Sequence, residues 1–324
     1  MLSSLANLAD RNFIIGYLLP VVFAVLASLL LLRDLPAFAP VWDSIVDVDK
    51  FASLTLLTIG IWGAASLLFS MSVQVHRLFE GYAGPLKAER WRRIQLAQFE
   101  KARNELKQLR EAAKGDASFP STAGARYLRA LWMFRQRFPS RPEFVLPTRF
   151  GNVVRAFETY PYELYGADSV AVWPRLTAVV PDTCQARIEA AKAEVDCFLN
   201  ASLLATLVAL FCAVRGVLTL SDHYWNDADI SWSFLYGGMF AVLLAVFAYK
   251  AAVIRARSWG VLVASAFDLY LPALAALLGH AVPDSLQERR EFWAAFNEMF
   301  LYYEIVDPKR WPVVTAPAKE REPH

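Results

Sequence analysis

Two apolar runs inside residues 198–254, parted only by the acidic turn Ser221-Asp222-His223-Tyr224-Trp225-Asn226-Asp227-Ala228-Asp229, constrain this chain more than any other feature. A helix rises ~1.5 Å per residue, so about 20 residues cross the ~30 Å hydrocarbon core of a bilayer, and each run reaches that length. Backbone in lipid must bond to itself, which makes both runs helices, and so short a turn makes them an antiparallel hairpin. A second pair of runs, 13–32 and 54–75, repeats the pattern. The expected fold is all-α: a polytopic membrane protein with two transmembrane hairpins and a helical cytoplasmic domain built from the central insert and the C-terminal region. Its parts are a first hairpin at 1–75, a cytoplasmic insert at 76–196, a second hairpin at 197–254, C-terminal cytoplasmic helices at 255–312 and a disordered tail at 313–324.

Hydrophobic residues make up 56% of the 324, against 20% charged, an excess no soluble domain needs and one concentrated in these runs. The net charge of +2 speaks against a nucleic-acid partner. A weaker fifth run, 259–278, holds Asp268 at its middle, and a central Asp costs about 2.5 to 3.5 kcal/mol on insertion scales. A fifth crossing would also carry Lys309, Arg310, Lys319 and Arg321 outside. The run is therefore expected as a core helix of the cytoplasmic domain. Cys184, Cys197 and Cys212 are odd in number and form no metal-type spacing, so they read as small packed apolar residues. The first run lacks a cleavage site and is long enough to span, so it reads as a retained helix and not a signal peptide.

Charge placement gives the orientation. The segment after the second run carries Arg77, Lys87, Arg90, Arg92, Arg93, Lys101 and Arg103, and Lys250, Arg255 and Arg257 follow the fourth. The loops at 33–53 and 221–231 are acidic. By the positive-inside rule the basic side is cytoplasmic, and both termini lie there. Pro20 predicts a kink in the first span, tolerated where a neighbour satisfies the freed carbonyl. In the insert, helices are expected at 86–113, with Leu86, Ile94, Phe99, Leu106 and Leu109 on one side, at 126–138 and at 151–160, the last ended by Pro161. A short helix or turn is expected within 168–180. Pro181-Asp182-Thr183-Cys184-Gln185 opens a helix that meets no breaker until Gly216, so ~38 residues and about 57 Å of helix run from the insert into the third span. The fourth span is expected to emerge toward Trp259 in the same way, so that the cytoplasmic domain stands on stalks continuous with the membrane helices. A further helix is expected at 286–304, with Phe292, Trp293, Phe296, Phe300 and Tyr303 on its apolar side.

No glycine-rich phosphate loop, nucleophile elbow or HExxH motif is present, so neither catalysis nor a cofactor is expected. His76 and Glu80 share a helix face at i, i+4, but two ligands make no useful metal site, and no metal is expected. The residues singled out lie elsewhere. Gly60 and Ala64 let helix backbones approach closely in lipid and are candidates for a helix contact. Asn200, Ser202 and Thr206 trace the inner half of the third span, either as interhelical hydrogen bonds or as a polar path. Arg215, near that span's outer end, either snorkels to headgroups or pairs with Asp222, or joins a charged ring lining an outer vestibule that favours anions.

Asn152, Arg155 and Glu158 in Gly151-Asn152-Val153-Val154-Arg155-Ala156-Phe157-Glu158, Asp168 in Tyr165-Gly166-Ala167-Asp168, and Arg175 in Trp173-Pro174-Arg175-Leu176 mark either an intradomain hydrogen-bond network or a ligand pocket. With Arg77-Leu78-Phe79-Glu80-Gly81-Tyr82 and Ala266-Phe267-Asp268-Leu269-Tyr270, these stretches resemble those of uncharacterised bacterial multi-spanning membrane proteins. The resemblance implies an inner-membrane protein of four spans and carries no activity with it. The expected function is a homo-oligomer that forms or gates a pore, with the cytoplasmic domain as sensor or assembly platform. The alternatives are a non-conducting scaffold that recruits a cytoplasmic protein partner and an integral-membrane enzyme acting on lipid. The enzyme would need carboxylates or histidines converging at the membrane boundary, of which His76 and Glu80 are the only ones apparent.

Overall fold

A computed structural model describes residues 10–33, 38, 50–114, 122–226 and 232–303, and every regular element among them is helical. The expected acidic turn between the third and fourth spans begins later than its composition suggests, because Ser221–Asn226 continue the preceding helix; residues 227–231, most of the loop between the first two spans, and the C-terminal tail lie outside the described residues. The helices are α1 (Arg11–Leu32), α2 (Lys50–Ser70), α3 (Ser72–Glu80), α4 (Glu89–Lys114), α5 (Thr122–Arg135), α6 (Arg149–Tyr165), α7 (Ser169–Leu176), α8 (Asp182–Asn226), α9 (Trp232–Leu277) and α10 (Leu286–Tyr302). Three of them, α1, α8 and α9, are long and apolar enough to cross a bilayer, and a fourth span is added if the bent pair α2 and α3 counts as one. Only 28% of the most apolar window of α8 or of α9 is buried within the chain, so their grease faces outward, as a lipid solvent requires. A membrane location follows.

The chain divides into two compact units. One takes Met1–Ala83 and Glu189–Ala256, the other Gly84–Ile188 and Arg257–His324. The divisions fall inside α8 and α9, at 45 and 46 residues, about 68 Å each. The first unit thus includes both ends of the polar insert, and the second is built from the rest of the insert with the C-terminal region.

In the first unit α8 and α9 run antiparallel: Ser202 meets Ala245, Cys212 meets Gly238 and Gly216 meets Leu235. The face of α9 that makes this approach is a row of buried alanines, Ala241, Ala245, Ala248, Ala252 and Ala256, at the spacing of one helix stripe. Helix α1 packs on α2 through Phe13, whose ring stacks on Trp62 at 5.7 Å and meets Phe69 edge-on at 5.8 Å. Just ahead of Pro20, where a kink is expected, the helix makes a π-helical turn, Ile14–Leu18, in which the Leu19 amide bonds Ile14 five residues back. The second span is not one rod to Val75. It stops at Ser70, and α3 departs at 58° across Met71, with Ser70 and Ser72 on either side.

In the second unit one core gathers Val172 and Leu176 of α7, Phe267, Leu271 and Leu274 of α9, and Phe292, Trp293 and Phe296 of α10. The fifth apolar run is thus the C-terminal part of α9 and not a separate helix, because no breaker stands between Lys250 and Trp259. A smaller core joins Phe99 of α4 to Phe134, Phe138 and Val145. Ile94, expected on the apolar side of α4, is 41% exposed, since that side turns through Gln95 and Phe99. Pro161 does not end α6. The helix continues to Tyr165 and closes on Gly166 at φ 78, where the amides of Gly166 and Ala167 bond Tyr162 and Pro161. One lost backbone bond at Pro161 is outweighed by this cap and by the tyrosines on the last turn. The segment at 168–180 resolves as the helix α7, with Asp168 capping the Ala171 amide at 3.0 Å.

Candidate functional site

A polar constellation among the described residues of the first unit is centred on Asp196. Helix α8 spaces Lys192, Asp196 and Asn200 four residues apart, on one face. Gly16 brings α1 against that face: a Cβ there would stand 3.4 Å from the Ala193 carbonyl oxygen and from Asp196 Cβ. Next along α1, the Tyr17 hydroxyl donates to Asp196 Oδ2 at 2.8 Å, and Ser72 bonds the same hydroxyl. The bend at Met71 aims α3 so that His76 Nε2 lies 2.6 Å from Asp196 Oδ1. Because a carboxylate only accepts, Nε2 carries the proton of this bond. Lys192 Nζ donates to Oδ2 at 2.9 Å, and Glu80 Oε1 lies 3.9 Å from His76 Nδ1. Asp196 itself is 4% exposed. A carboxylate so deeply buried is stable only when its lone pairs are filled, and here donors from α1, α3 and α8 fill them. The arrangement ties three helices together and offers a short path for a proton between imidazole and carboxylate.

One turn further along α8, Asn200 Nδ2 donates to the Gly16 carbonyl oxygen at 2.8 Å. That carbonyl stands four residues before Pro20, which has no amide to offer it. Ser202 donates to Ala245 O at 3.0 Å on α9, whereas the Thr206 hydroxyl turns back to Ser202 O of its own helix at 2.7 Å. Arg215 holds its guanidinium over the Phe234 ring, 5.7 Å away, and its buried Nε has no hydrogen-bond partner among the described residues. The Asp222 side chain lies outside the description. Gly60 and Ala64 are exposed, and nothing approaches within 4 Å of a Cβ built on Gly60 or on Gly63; the face of α2 that packs inward is centred on Ala65.

The five polar residues singled out in the second unit fall into separate groups. Asn152 is fully buried and pins the loop before α6, accepting from the Leu146 amide at 2.8 Å and donating to Leu146 O at 3.0 Å and Thr148 O at 2.8 Å. Arg155 and Glu158 pair at 3.4 Å; burial first, and the Asp168 carboxylate after it, push the Glu158 carboxyl up against the pull of Arg155. Arg175 donates to Ala171 O at 2.8 Å and covers the Phe300 ring at 3.8 Å. Two groups were missed from sequence. Asn297 clamps the α6–α7 link, accepting from the Asp168 amide at 2.9 Å and donating to Gly166 O at 2.7 Å. Asp268, the residue that argued against a fifth span, accepts from Tyr160 at 2.9 Å and Tyr165 at 2.7 Å. Burial and this bond push the Tyr160 phenol well up and that of Tyr165 to about 12.

Among the described residues no group of three or more His, Cys, Asp or Glu is placed to hold a metal ion. Comparison with family models, with characterised proteins and with solved structures finds no match to this chain.

Proposed function

We propose that the chain is a multi-pass protein of the bacterial inner membrane that works as a homo-oligomer and forms or gates a pore, its second unit serving as cytoplasmic sensor or assembly platform. In this reading α2 and α3 make up one bent span, four spans cross the bilayer, and the basic segments hold both termini in the cytoplasm. The observation that carries it lies on α2. Gly60, Gly63 and Ala64 turn away from the chain's own packing, and in lipid such a face lets a second backbone come close enough for dispersion and Cα–H contacts to hold it.

The polar groups of α8 say where a water path would run. Asn200 and Ser202 are committed to α1 and α9, so a single chain keeps little polar lining, and conduction is assigned to the interface between copies. Asp196 then serves as the hinge lock, since α3 cannot swing from α8 without breaking the 2.6 Å bond of His76. The non-conducting scaffold remains the second reading, with the same spans and a cytoplasmic protein partner.

Light scattering in mild detergent, followed by flux of potassium and chloride from liposomes, tests the proposal. A defined oligomer and measurable flux are expected. A strict monomer in tight liposomes contradicts it, and an oligomer in tight liposomes with a stably co-purifying protein transfers the assignment to the scaffold.

A further inference from the structure

Helix α5 has two unlike faces. On the inner one, Phe134 packs against Phe99 and Phe138 with centroids 5.3 and 5.8 Å away. The outer face of a soluble amphipathic helix is polar, yet here Leu128 is 63% exposed, Trp132 62% and Met133 44%. Leu128, Trp132 and Arg135 stand at i, i+4 and i+7, one stripe along the helix; Arg129 flanks it, and Arg126 lies at the other edge of the exposed face, one stripe with Met133 at i, i+7. The helix contains three arginines and no Asp or Glu. Arg126 and Arg129 make no ion pair among the described residues, and Arg135 reaches only Glu163, at 3.5 Å.

Two chemistries therefore share one surface: apolar area, including an indole, that gains by leaving water, and guanidinium groups in excess over any acid that would neutralise them. The headgroup layer of an anionic bilayer meets both demands at one depth. Indole rings favour that depth, aliphatic side chains reach the acyl boundary below it, and guanidinium forks match phosphate oxygens. We infer that this face of α5 docks on an anionic lipid surface. The inference rests on the membrane reading of the chain. A chain already anchored by its spans makes such a contact at the high effective concentration of an intramolecular event, so a face of a few residues suffices. Each arginine near an anionic surface adds about fivefold to the affinity.

The test uses the full-length chain with Cys184, Cys197 and Cys212 changed to alanine and a nitroxide at Leu128→Cys or, separately, Trp132→Cys. The protein is placed in lipid discs of phosphatidylcholine, alone or mixed with phosphatidylglycerol. Docking predicts a severalfold fall in collision with a water-soluble nickel complex in the anionic discs only. That fall is reversed by Arg126→Gln, Arg129→Gln and Arg135→Gln together, and absent for a control label at Gln108→Cys. Equal nickel access in both disc types overturns the inference. So does equal protection in both discs and in detergent, which would mean that the face meets protein. A chain that never enters the discs refutes the membrane reading itself.

Discussion

Asn200 and Pro20 form a pair that neither residue explains alone. The proline deprives the first span of an amide, and an asparagine 180 positions later, on another helix, supplies the missing donor to Gly16. Removing the amide by Asn200→Ala leaves that carbonyl without its donor inside lipid. The expected loss is about 1 kcal/mol, the ordinary worth of an interhelical bond in membranes. In a Pro20→Ala background the restored amide gives the upstream carbonyls a local partner, and the same substitution costs less. Both values come from SDS-induced unfolding followed by circular dichroism. Equal costs in the two backgrounds would show that the bond has nothing to do with the proline. The same scale explains what was legible in the sequence and what was not. That Pro20 needs a neighbour follows from covalent chemistry, and Asn200 stood out as a polar residue in an apolar run. That they are each other's partners depends on which helix faces meet, which one sequence does not fix. Asp196 escaped notice for a related reason: just before a span it resembles any boundary carboxylate, and only the bend at Met71 brings His76 to it.

At the level of elements, glycines divide by what stands opposite them. Gly166 ends α6 at φ 78, and a Cβ there would stand 2.5 Å from the backbone oxygen of Arg290. Gly166→Ala meets both left-handed strain and immovable backbone, and is expected to cost at least about 2 kcal/mol. Gly237 faces Leu31 Cδ2, also at 2.5 Å, but that atom ends a flexible side chain. Gly237→Ala is expected to cost under about 1.5 kcal/mol. SDS-unfolding midpoints measure both, and a reversed order would contradict the packing described. The start of α10 was legible because Ser285 bonds a free amide, a local rule; Asp168 caps α7 in the same way, yet the sequence alone allows that segment either a short helix or a turn. One proline misled. Pro161 sits inside α6, since the cap at Gly166 and tertiary contacts outweigh one missing bond. The small-residue rule named the face of α2, while the chain's own close helix contact uses the alanine row of α9; alanines in an apolar run look like filler until their spacing is counted.

At the scale of the whole molecule, solvation decides the arrangement. Long apolar helices keep their amides bonded internally and leave grease on the outside, so lipid or another copy must cover it. The greasy surfaces of α8 and α9 suit acyl chains. The outward face of α2 suits a second backbone. Cysteine cross-linking in native membranes separates these directly. In a chain with Cys184, Cys197 and Cys212 replaced by alanine, single cysteines are scanned along α2 from Ile59 to Leu67 and oxidised. Assembly through this face predicts dimer bands at Gly60→Cys, Gly63→Cys and Ala64→Cys and none at Ala65→Cys, which lies under α1. Uniformly monomeric lanes, or bands with no helical period, would contradict it.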